Sequence, residues 1–392
     1  MGVTVVVGGG IAGLYCAMHL PPPVLLIEAS QRLGGRVHTV DGLEAGAGRF
    51  SPVLHRRLKK LIDGFGLTTT PNGVGGRPYD VALREVVRKA GRLPKAYLQG
   101  VSFHRACVDV VGPDAARELQ SQFGYDAEFE VTNAWDALRT FSTDFSPGIA
   151  YHHCTQGLSS LIDAMASAAR NRGAEIRMGT KLSNIAWDSR ARTFALNDGA
   201  LTCHRVVLAL PPDALRSVAT FPVAALDAVE AVSLHRLYAR TARPHGLSRH
   251  TVDGPMRQVI PMDDRVFMVY NDTRAADDYH RLEKLGGDAL RRALQRDSGV
   301  KLVSVVSHYW PAGVHAWKPG VDSERVAQRM LQPVERVPLF VCGEAFSRHQ
   351  GWIEGALQTA EDVLSKCRRA TETEHTARKR RRGTAGLLKK CD

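Results

Sequence analysis

The sequence contains no hydrophobic run long enough to cross a membrane. Hydrophobic residues make up 44% of the 392 positions, but no apolar stretch approaches the ~20 residues that span a bilayer. A secretory leader is not expected, because a strand pattern begins directly after Met1 and Gly2. The seven cysteines are an odd number and lack the spacing of a metal site. These absences favour an intracellular protein, cytoplasmic or nuclear, with reduced thiols, no metal and no membrane contact.

The charge of the chain is unevenly distributed. Of the formal net charge of +12, +6 belongs to residues 368–392, which contain nine Lys or Arg and three acids. This tail has no apolar periodicity, so we expect it to be disordered. Its basic clusters are typical of contacts with nucleic acid or with a nuclear-import receptor, but a solvated tail without a partner has the same composition.

A glycine-rich turn follows the first apolar run, Val3 to Val7. In a dinucleotide site the first glycine allows a tight turn, the second lets the backbone approach a pyrophosphate, and the third lets the next helix pack on the strand. The N–H groups at the helix N-terminus then face the phosphates. We therefore predict a phosphate-binding turn over residues 8–13, formed by Gly8, Gly10, Ile11, Ala12 and Gly13.

An acidic residue stands where the second strand of such a unit ends. Pro21 to Pro23 stop the helical pattern, Val24 to Ile27 form an apolar run, and Glu28 follows it. Glu28 comes 20 positions after Gly8, at the spacing of an acid that accepts hydrogen bonds from a ribose. The first 28 residues therefore predict a Rossmann-like nucleotide-binding unit with Glu28 at the ribose.

Two further glycine turns, each followed by an arginine, favour FAD over NAD. Gly34, Gly35 and Arg36 form one, and Gly48 and Arg49 end the other. A nicotinamide site usually ends with the acid, whereas a longer flavin nucleotide continues along the protein. With these motifs the sequence resembles the flavin-containing amine oxidase family, which includes monoamine, polyamine and L-amino acid oxidases. The resemblance implies that residues 34–36 line the pyrophosphate and ribityl chain, and that Gly48 and Arg49 approach the flavin.

The C-terminal part resembles the closing motif of the same family. A buried-strand pattern is followed by the turn residues Gly343 and Glu344, and a helical pattern starts at residue 351. The resemblance implies that Gly343 and Glu344 bind the ribityl chain. It also implies that Trp352 and Ile353 bring a helix N-terminus to the flavin pyrimidine ring. Such an N-terminus stabilises the negative charge of a reduced flavin.

The order of the patterns predicts an α/β fold with two interleaved domains. The Rossmann-like FAD-binding domain is expected to comprise residues 1–72, 150–215 and 321–367. An α+β substrate domain is expected to comprise a helical part, 73–149, and a sheet part, 216–320, and the basic tail follows at 368–392. The resemblance also implies that Leu182, in a predicted strand over residues 182–187, contacts the adenine through its backbone.

For activity, the resemblance implies oxidation of a small-molecule amine with FAD and O2. In the family a neutral amine gives hydride from its α-carbon to flavin N5, the imine hydrolyses, and O2 reoxidises the flavin and releases H2O2. Two rings flank the amine, and the matching positions here are Trp352 and His315, which we expect to be catalytic. The face of an indole binds an ammonium or packs on the carbons of an amine.

Three positions depart from the family pattern. Val314 stands where some members carry flavin on a cysteine, so the FAD is expected to be noncovalent. The lysine that usually contacts flavin N5 through water has no clear counterpart, and Arg236 and Lys318 are the cations near its place. His315 replaces a tyrosine or phenylalanine. Moreover, no acidic cluster marks a polyamine tunnel and no arginine clearly marks a carboxylate site, so the sequence does not name the substrate.

Two other functions stay open on the sequence. One is a related flavoprotein oxidase or desaturase that acts on a non-amine. The other is an FAD-binding structural or nuclear protein with little turnover, a role that would suit the basic tail. Residues 255–261 and 308–320 resemble compact amine-oxidase-like proteins of large DNA viruses and algae, which would add the virion to the expected locations.

Overall fold

A five-stranded parallel sheet forms the centre of the fold. The computed structural model describes residues 2–72, 79–146, 148–218 and 225–369. All four strand pairings in the sheet are parallel, so both faces have to be covered by other elements. In spatial order the strands are Leu339–Val341, Arg205–Leu208, Thr4–Val7, Val24–Ile27 and Ala174–Arg177.

Alternate residues of the first strand point into two separate cores, because side chains alternate across a strand. On one face Val6 packs with Leu14 and Met165, which belong to helices that cover the sheet. On the other face Val5 packs in a cluster with Phe194. The strand is buried at all four residues. The glycine turn that follows it is therefore held between a rigid strand and a packed helix.

A second, antiparallel sheet lies in the part of the chain where a substrate-domain sheet is predicted. Its core residues include Phe267 and Leu294, the latter from one of two helices packed on it. In spatial order its strands are His250–Thr251, Gln258–Pro261, Val266–Asp272, Val229–Thr241 and Leu302–Trp317. The smaller sheets are formed by Leu201–Cys203, Thr193–Leu196 and Ile185–Asp188, by Thr39–Val40 with Leu43–Glu44, and by Thr69–Pro71 with His152–Cys154.

A helical lobe built around phenylalanine rings precedes this sheet in the chain. Phe103, Phe123, Phe129 and Phe141 are at most 2% exposed, and their rings contact one another at centroid distances between 4.6 and 5.7 Å. The lobe consists of helices Asp80–Ala90, Lys95–Gly100, Phe103–Val111, Pro113–Phe123 and Ala134–Ser142 and the π-helical turn Ala127–Val131.

The remaining helices cover the central sheet or flank the second one. They are Ile11–His19, Arg56–Gly64, Leu158–Asn171, Pro212–Arg216, Thr273–Lys284, Gly287–Ser298, Ser323–Leu331 and residues 353–369, with short 3-10 turns at Leu226–Ala228 and Glu344–Phe346. The sequence pattern does not predict the helices at 273–284 and 287–298, which lie within the region expected to be sheet. The second buries Leu290, Ala293 and Leu294 at helical spacing, so assigning the whole region to a sheet overlooks a helical signal.

The strand predicted over residues 182–187 is wrong at its start. The strand observed is Ile185–Asp188, and Leu182 lies in the loop before it. In that loop the side chain of Asn197 makes hydrogen bonds to the backbone, where a strand would bond to a neighbouring strand. Its Oδ1 accepts from the N–H of Ser183 at 2.9 Å, and its Nδ2 donates to the carbonyl of Lys181 at 2.9 Å.

Within the described ranges, no helix combines the length and the apolar character needed to span a bilayer. The same residues contain no group of three or more His, Cys, Asp or Glu placed to hold a metal ion. The basic tail lies outside the described residues from position 370 onward, so its order and its partners stay predictions.

Candidate functional site

The glycine turn is tightly packed at two of its glycines and open at a third. Gly8 has a φ of +103°, and a β-carbon there would lie 2.4 Å from the carbonyl oxygen of Ala209. A β-carbon on Gly13 would lie 1.9 Å from the carbonyl oxygen of Gly8. No atom would come within 4 Å of a β-carbon on Gly10. Glycine is therefore required at 8 and 13 for packing, while Gly10 borders the open space that a phosphate needs.

The first helix turns its N-terminus toward that open space. The helix Ile11–His19 begins directly after Gly10, which caps it without a side-chain hydrogen bond. The N–H groups of Ile11 and Ala12 fall in the first turn, where a helix has no internal acceptor for them. These donors and the positive end of the helix dipole suit a pyrophosphate.

Glu28 lies beside the same turn. Its Oε2 accepts from the N–H of Gly9 at 2.7 Å, and its Oε1 accepts from the N–H of Ser30 at 2.8 Å. Each carboxylate oxygen has a second lone pair. Glu28 can therefore hold the turn and still accept from a ribose hydroxyl, as its position in the sequence predicts.

The second glycine turn abuts the first. The N–H of Gly34 donates to the carbonyl of Gly9 at 2.8 Å, and a β-carbon on Gly35 would lie 3.5 Å from the Cα of Gly10. Both Gly34 and Gly35 have positive φ values, +105° and +57°, which L side chains rarely adopt. The two turns thus form one wall, and the chain leaves it through Arg36.

Glu344 connects that wall to His315 and to the N–H of Gly351. It is 5% exposed and follows Gly343, whose φ is +135°. Its Oε1 accepts from Arg36 Nη1 and from His315 Nδ1, each at 2.6 Å, and its Oε2 accepts from the N–H of Gly351 at 2.8 Å. Burial would raise the pKa of Glu344, but Arg36 and His315 outweigh it and hold that pKa well below its usual range. The carboxylate is therefore ionised.

His315 has a buried ring nitrogen without a partner. The residue is 2% exposed and lies near the end of the strand Leu302–Trp317. Because an ionised carboxylate only accepts hydrogen bonds, the Nδ1 that faces Glu344 carries the hydrogen. Nε2 has no hydrogen-bond partner among the described residues. Since buried polar atoms are almost always satisfied, this nitrogen is suited to contact a ligand.

Trp352 stands at the start of the helix 353–369 and is held from three sides. Its ring stacks on Tyr151 at 5.8 Å with a 5° angle, and it lies 5.4 Å from the ring of Phe145. On a third side it contacts the ring of His55 at 4.5 Å. The Nε2 of His55 lies 3.0 Å from Oδ1 of the fully buried Asp144. The indole ring of Trp352 is therefore held rigidly in place.

One cavity brings several of the predicted residues together. It comprises about 860 Å³ of space, part of which is open to solvent. The predicted residues in its wall are Gly48, Arg49, Val314, His315, Trp352 and Ile353. Sequence reasoning missed other residues of the wall, among them Tyr125, Glu128, Phe145, Tyr270 and Asp272. No motif marks these five, because they reach the cavity only through the packing of the helical lobe against the second sheet.

Of the two cations considered for the lysine position, Arg236 lies in the cavity wall and Lys318 pairs elsewhere. The Nζ of Lys318 is 3.2 Å from a carboxylate oxygen of Glu230. Arg236 is 7% exposed, and its Nη1 donates to the backbone carbonyl of Glu44 at 3.1 Å. A β-carbon on Gly48 would lie 2.5 Å from that Nη1. The glycine at 48 therefore makes room for the guanidinium.

Leu182, another predicted cofactor residue, does not line the cavity. It is 4% exposed and packs with Val7 and Ile27 in the core behind the central sheet. Its backbone contact with the adenine stays a prediction.

A comparison with protein families agrees with this geometry. A family model described as flavin-containing amine oxidoreductase matches residues 11–105 and 88–363. The chain belongs to this family. It is accordingly an FAD-dependent oxidoreductase, and the open glycine turn with its free helix N-terminus and the unpartnered Nε2 of His315 are consistent with bound FAD.

Solved structures and curated proteins give further similarities. An engineered double mutant of putrescine oxidase has 18% sequence identity and a TM-score of 0.75, covering 93% of this chain and 98% of that one. A structure of putrescine oxidase bound to putrescine, with the same identity and coverage, has a TM-score of 0.73. At this identity the likeness shows the fold alone.

The similar stretch of the curated relatives is short. Protoporphyrinogen oxidase from Homo sapiens is 54% identical over 48 residues, which is 11% of this chain and 10% of that protein. The enzyme from Macaca fascicularis gives the same values. The matched stretch spans about a tenth of the length of these relatives.

Replacement of Glu28 should weaken FAD binding. Glu28→Ala removes the carboxylate acceptor at the predicted ribose position, so we expect a loss of about 1.5–3 kcal/mol in the binding free energy, the range of a charged hydrogen bond. FAD fluorescence on titration of the apoprotein measures it. Glu175→Ala, which removes an exposed carboxylate paired with Arg177, is the control. Equal FAD affinity of the two variants would contradict the assignment of Glu28.

Replacement of Glu344 should lower stability in a pH-dependent way. Its folded pKa lies below the ordinary value of 4.5, so its ionised form stabilises the fold above that value, and the contribution is lost as the pH falls toward the folded pKa. Glu344→Gln leaves Arg36 without its ion pair, at a cost of about 3–5 kcal/mol near neutral pH. Urea unfolding at saturating FAD measures the difference between wild type and variant.

The control for this measurement is Glu361→Gln. The side chain of Glu361 is 40% exposed and pairs with Arg57, so the loss should stay below about 1 kcal/mol. A Glu344→Gln penalty that is no larger, or that grows as the solution becomes acidic, would rule out a buried ionised carboxylate.

Proposed function

We propose that the protein is an FAD-dependent oxidase of a small-molecule amine, with noncovalent FAD and O2 as the electron acceptor. In the net reaction an amine, water and O2 give a carbonyl compound, ammonia and H2O2. When bound, FAD accepts the hydride from the α-carbon and passes the electrons to O2. The observation that carries the proposal is the cavity, whose walls are Trp352 on one side and His315, held by the ion pair of Glu344, on another.

The residues of this chain would contribute position and exclusion of water. Trp352 offers a rigid aromatic face, because Tyr151, Phe145 and His55 fix its ring. His315 offers Nε2 as a polar contact at the same cavity. A substrate held between two such walls reacts without first having to be oriented in water. No acidic or basic side chain is required as a base, because a neutral amine already carries the free electron pair.

A panel of primary amines, polyamines and amino acids tests the proposal. We expect the yellow holoprotein to release H2O2 with at least one class, measured by a coupled peroxidase assay. If FAD is bound but no amine gives peroxide, the amine oxidase proposal is wrong. An oxidase of a non-amine or a flavoprotein without turnover would then be favoured.

The flavin should be released by acid. Val314 lines the cavity, and none of the described cysteines does, so no thiol is placed to bind the flavin covalently. Precipitation with acid should leave the yellow colour in the supernatant. Flavin absorbance in the washed pellet would show a covalent bond and overturn the matching of Val314 to the position that carries flavin in other members.

Removal of the indole wall should slow turnover. Trp352→Ala should lower kcat for the active amine at least about tenfold, or some 1.4 kcal/mol in the barrier, because the substrate loses one of the faces that orient it. FAD should remain bound through the glycine turns. Trp352→Phe keeps an aromatic face and should retain most of the rate. Full activity of Trp352→Ala holoenzyme would move the substrate away from this helix.

A further inference from the structure

Two guanidinium groups in the cavity wall have no carboxylate partner among the described residues. Nη2 of Arg49 donates to the hydroxyl of Tyr125 at 3.1 Å, and its guanidinium carbon lies 4.9 Å from the ring centre of Tyr151. Arg236 bonds to a backbone carbonyl and lies 4.7 Å from the ring centre of Tyr270. Both line the cavity. An arginine does not lose its charge in a protein.

Three other arginines that are at least partly buried each have a carboxylate beside the guanidinium. Arg36, Arg139 and Arg257 each lie between 2.5 and 2.7 Å from a carboxylate oxygen. A buried charge without a counter-charge is expensive. Arg49 and Arg236 therefore differ from their neighbours, and both differ at the same cavity.

The two carboxyl groups of the cavity do not supply the missing counter-charge. Neither Glu128 nor Asp272 lies within ion-pair distance of Arg49 or Arg236 among the described contacts. Burial raises the pKa of Glu128 to about 8 and the pKa of Asp272 to about 7, so near neutral pH each carries only part of a negative charge. The cavity is therefore electropositive.

The two guanidiniums lie beside the same pair of aromatic rings in the cavity wall. The ring centroids of Tyr125 and Tyr270 lie 5.3 Å apart, and Arg49 approaches the first ring, at 5.8 Å, while Arg236 approaches the second. They thus flank one aromatic pair. A guanidinium matches the geometry of a carboxylate and can bind it with two parallel hydrogen bonds.

We propose that the substrate is an amine that also carries a carboxylate, and that Arg49 and Arg236 bind this carboxylate. The amine half of this statement rests on the proposed function, whereas the carboxylate half rests on the cavity alone. A simple amine or a diamine would bring no negative charge to these two groups. An amino acid brings the counter-charge that they lack.

Binding of benzoate to the holoprotein tests the carboxylate site without turnover. Benzamide has nearly the same shape and no charge, and a change in the flavin absorption spectrum reports the binding of either. We expect benzoate to bind about 10- to 100-fold more tightly, the ratio for charge-assisted hydrogen bonds. Arg49→Met and Arg236→Met should each reduce that preference. Arg274→Met, which removes a charge that is 91% exposed, should leave it unchanged.

Turnover of matched pairs gives the second measurement. L-phenylalanine and 2-phenylethylamine differ only in the carboxylate, as do L-ornithine and putrescine. We expect kcat/KM to be at least about tenfold higher for the carboxylate member of the active pair. Peroxide from the amines together with equal binding of benzoate and benzamide would overturn this inference and leave the proposed function intact. A benzoate preference without any turnover would do the reverse.

The comparison of benzoate with benzamide on the wild-type holoprotein decides whether the cavity prefers a carboxylate. A variant that loses FAD therefore does not end the test. If Arg49→Met is obtained without FAD, Arg49→Lys keeps the charge and should keep a weaker preference for benzoate. A preference that persists in full in both Arg49→Met and Arg236→Met would show that these residues are not the carboxylate site.

Discussion

The ionised carboxylate of Glu344 is the interaction on which the arrangement of the site depends. It lies at 5% exposure and holds Arg36 from the nucleotide-binding wall, His315 from the second sheet and the N–H of Gly351 from the closing turn. Each of these contacts alone would fix the position of only one residue relative to Glu344. Together they set the distance between segments that are about 300 positions apart in the chain, and two of the residues held in this way, His315 and Gly351, line the cavity. A neutral side chain at 344 would leave the guanidinium of Arg36 without its ion pair.

The cofactor half could be predicted from the sequence because backbone geometry determines it. The strand Val24–Ile27 has the predicted limits, and Gly8 and Gly13 are glycine for reasons that act over a few residues: a positive φ and a contact at 1.9 Å. Local requirements leave a local pattern of residue types. The family and the α/β fold followed from that pattern, and both are confirmed.

Among the side chains expected to contact the substrate, the sequence predicts only Trp352 and His315, and it does so through the family resemblance. Glu128 lies in a π-helical turn and Asp272 ends a strand of a different domain part, so nothing in the spacing of the sequence relates them. Contacts of this kind arise from tertiary packing, which a linear pattern does not record.

This difference explains why the motifs identify the cofactor but not the substrate. The predicted contacts with FAD are made largely by backbone N–H groups and by glycines, and those requirements are the same for every substrate. The proposed substrate site is formed by side chains, and its preference depends on the balance of charge within one cavity. At Arg36 the charge is balanced by Glu344, whereas at Arg49 and Arg236 the described residues offer only ring faces, a hydroxyl and a carbonyl. We therefore expect the charge that the fold leaves unbalanced in this cavity to be balanced by the group that binds there.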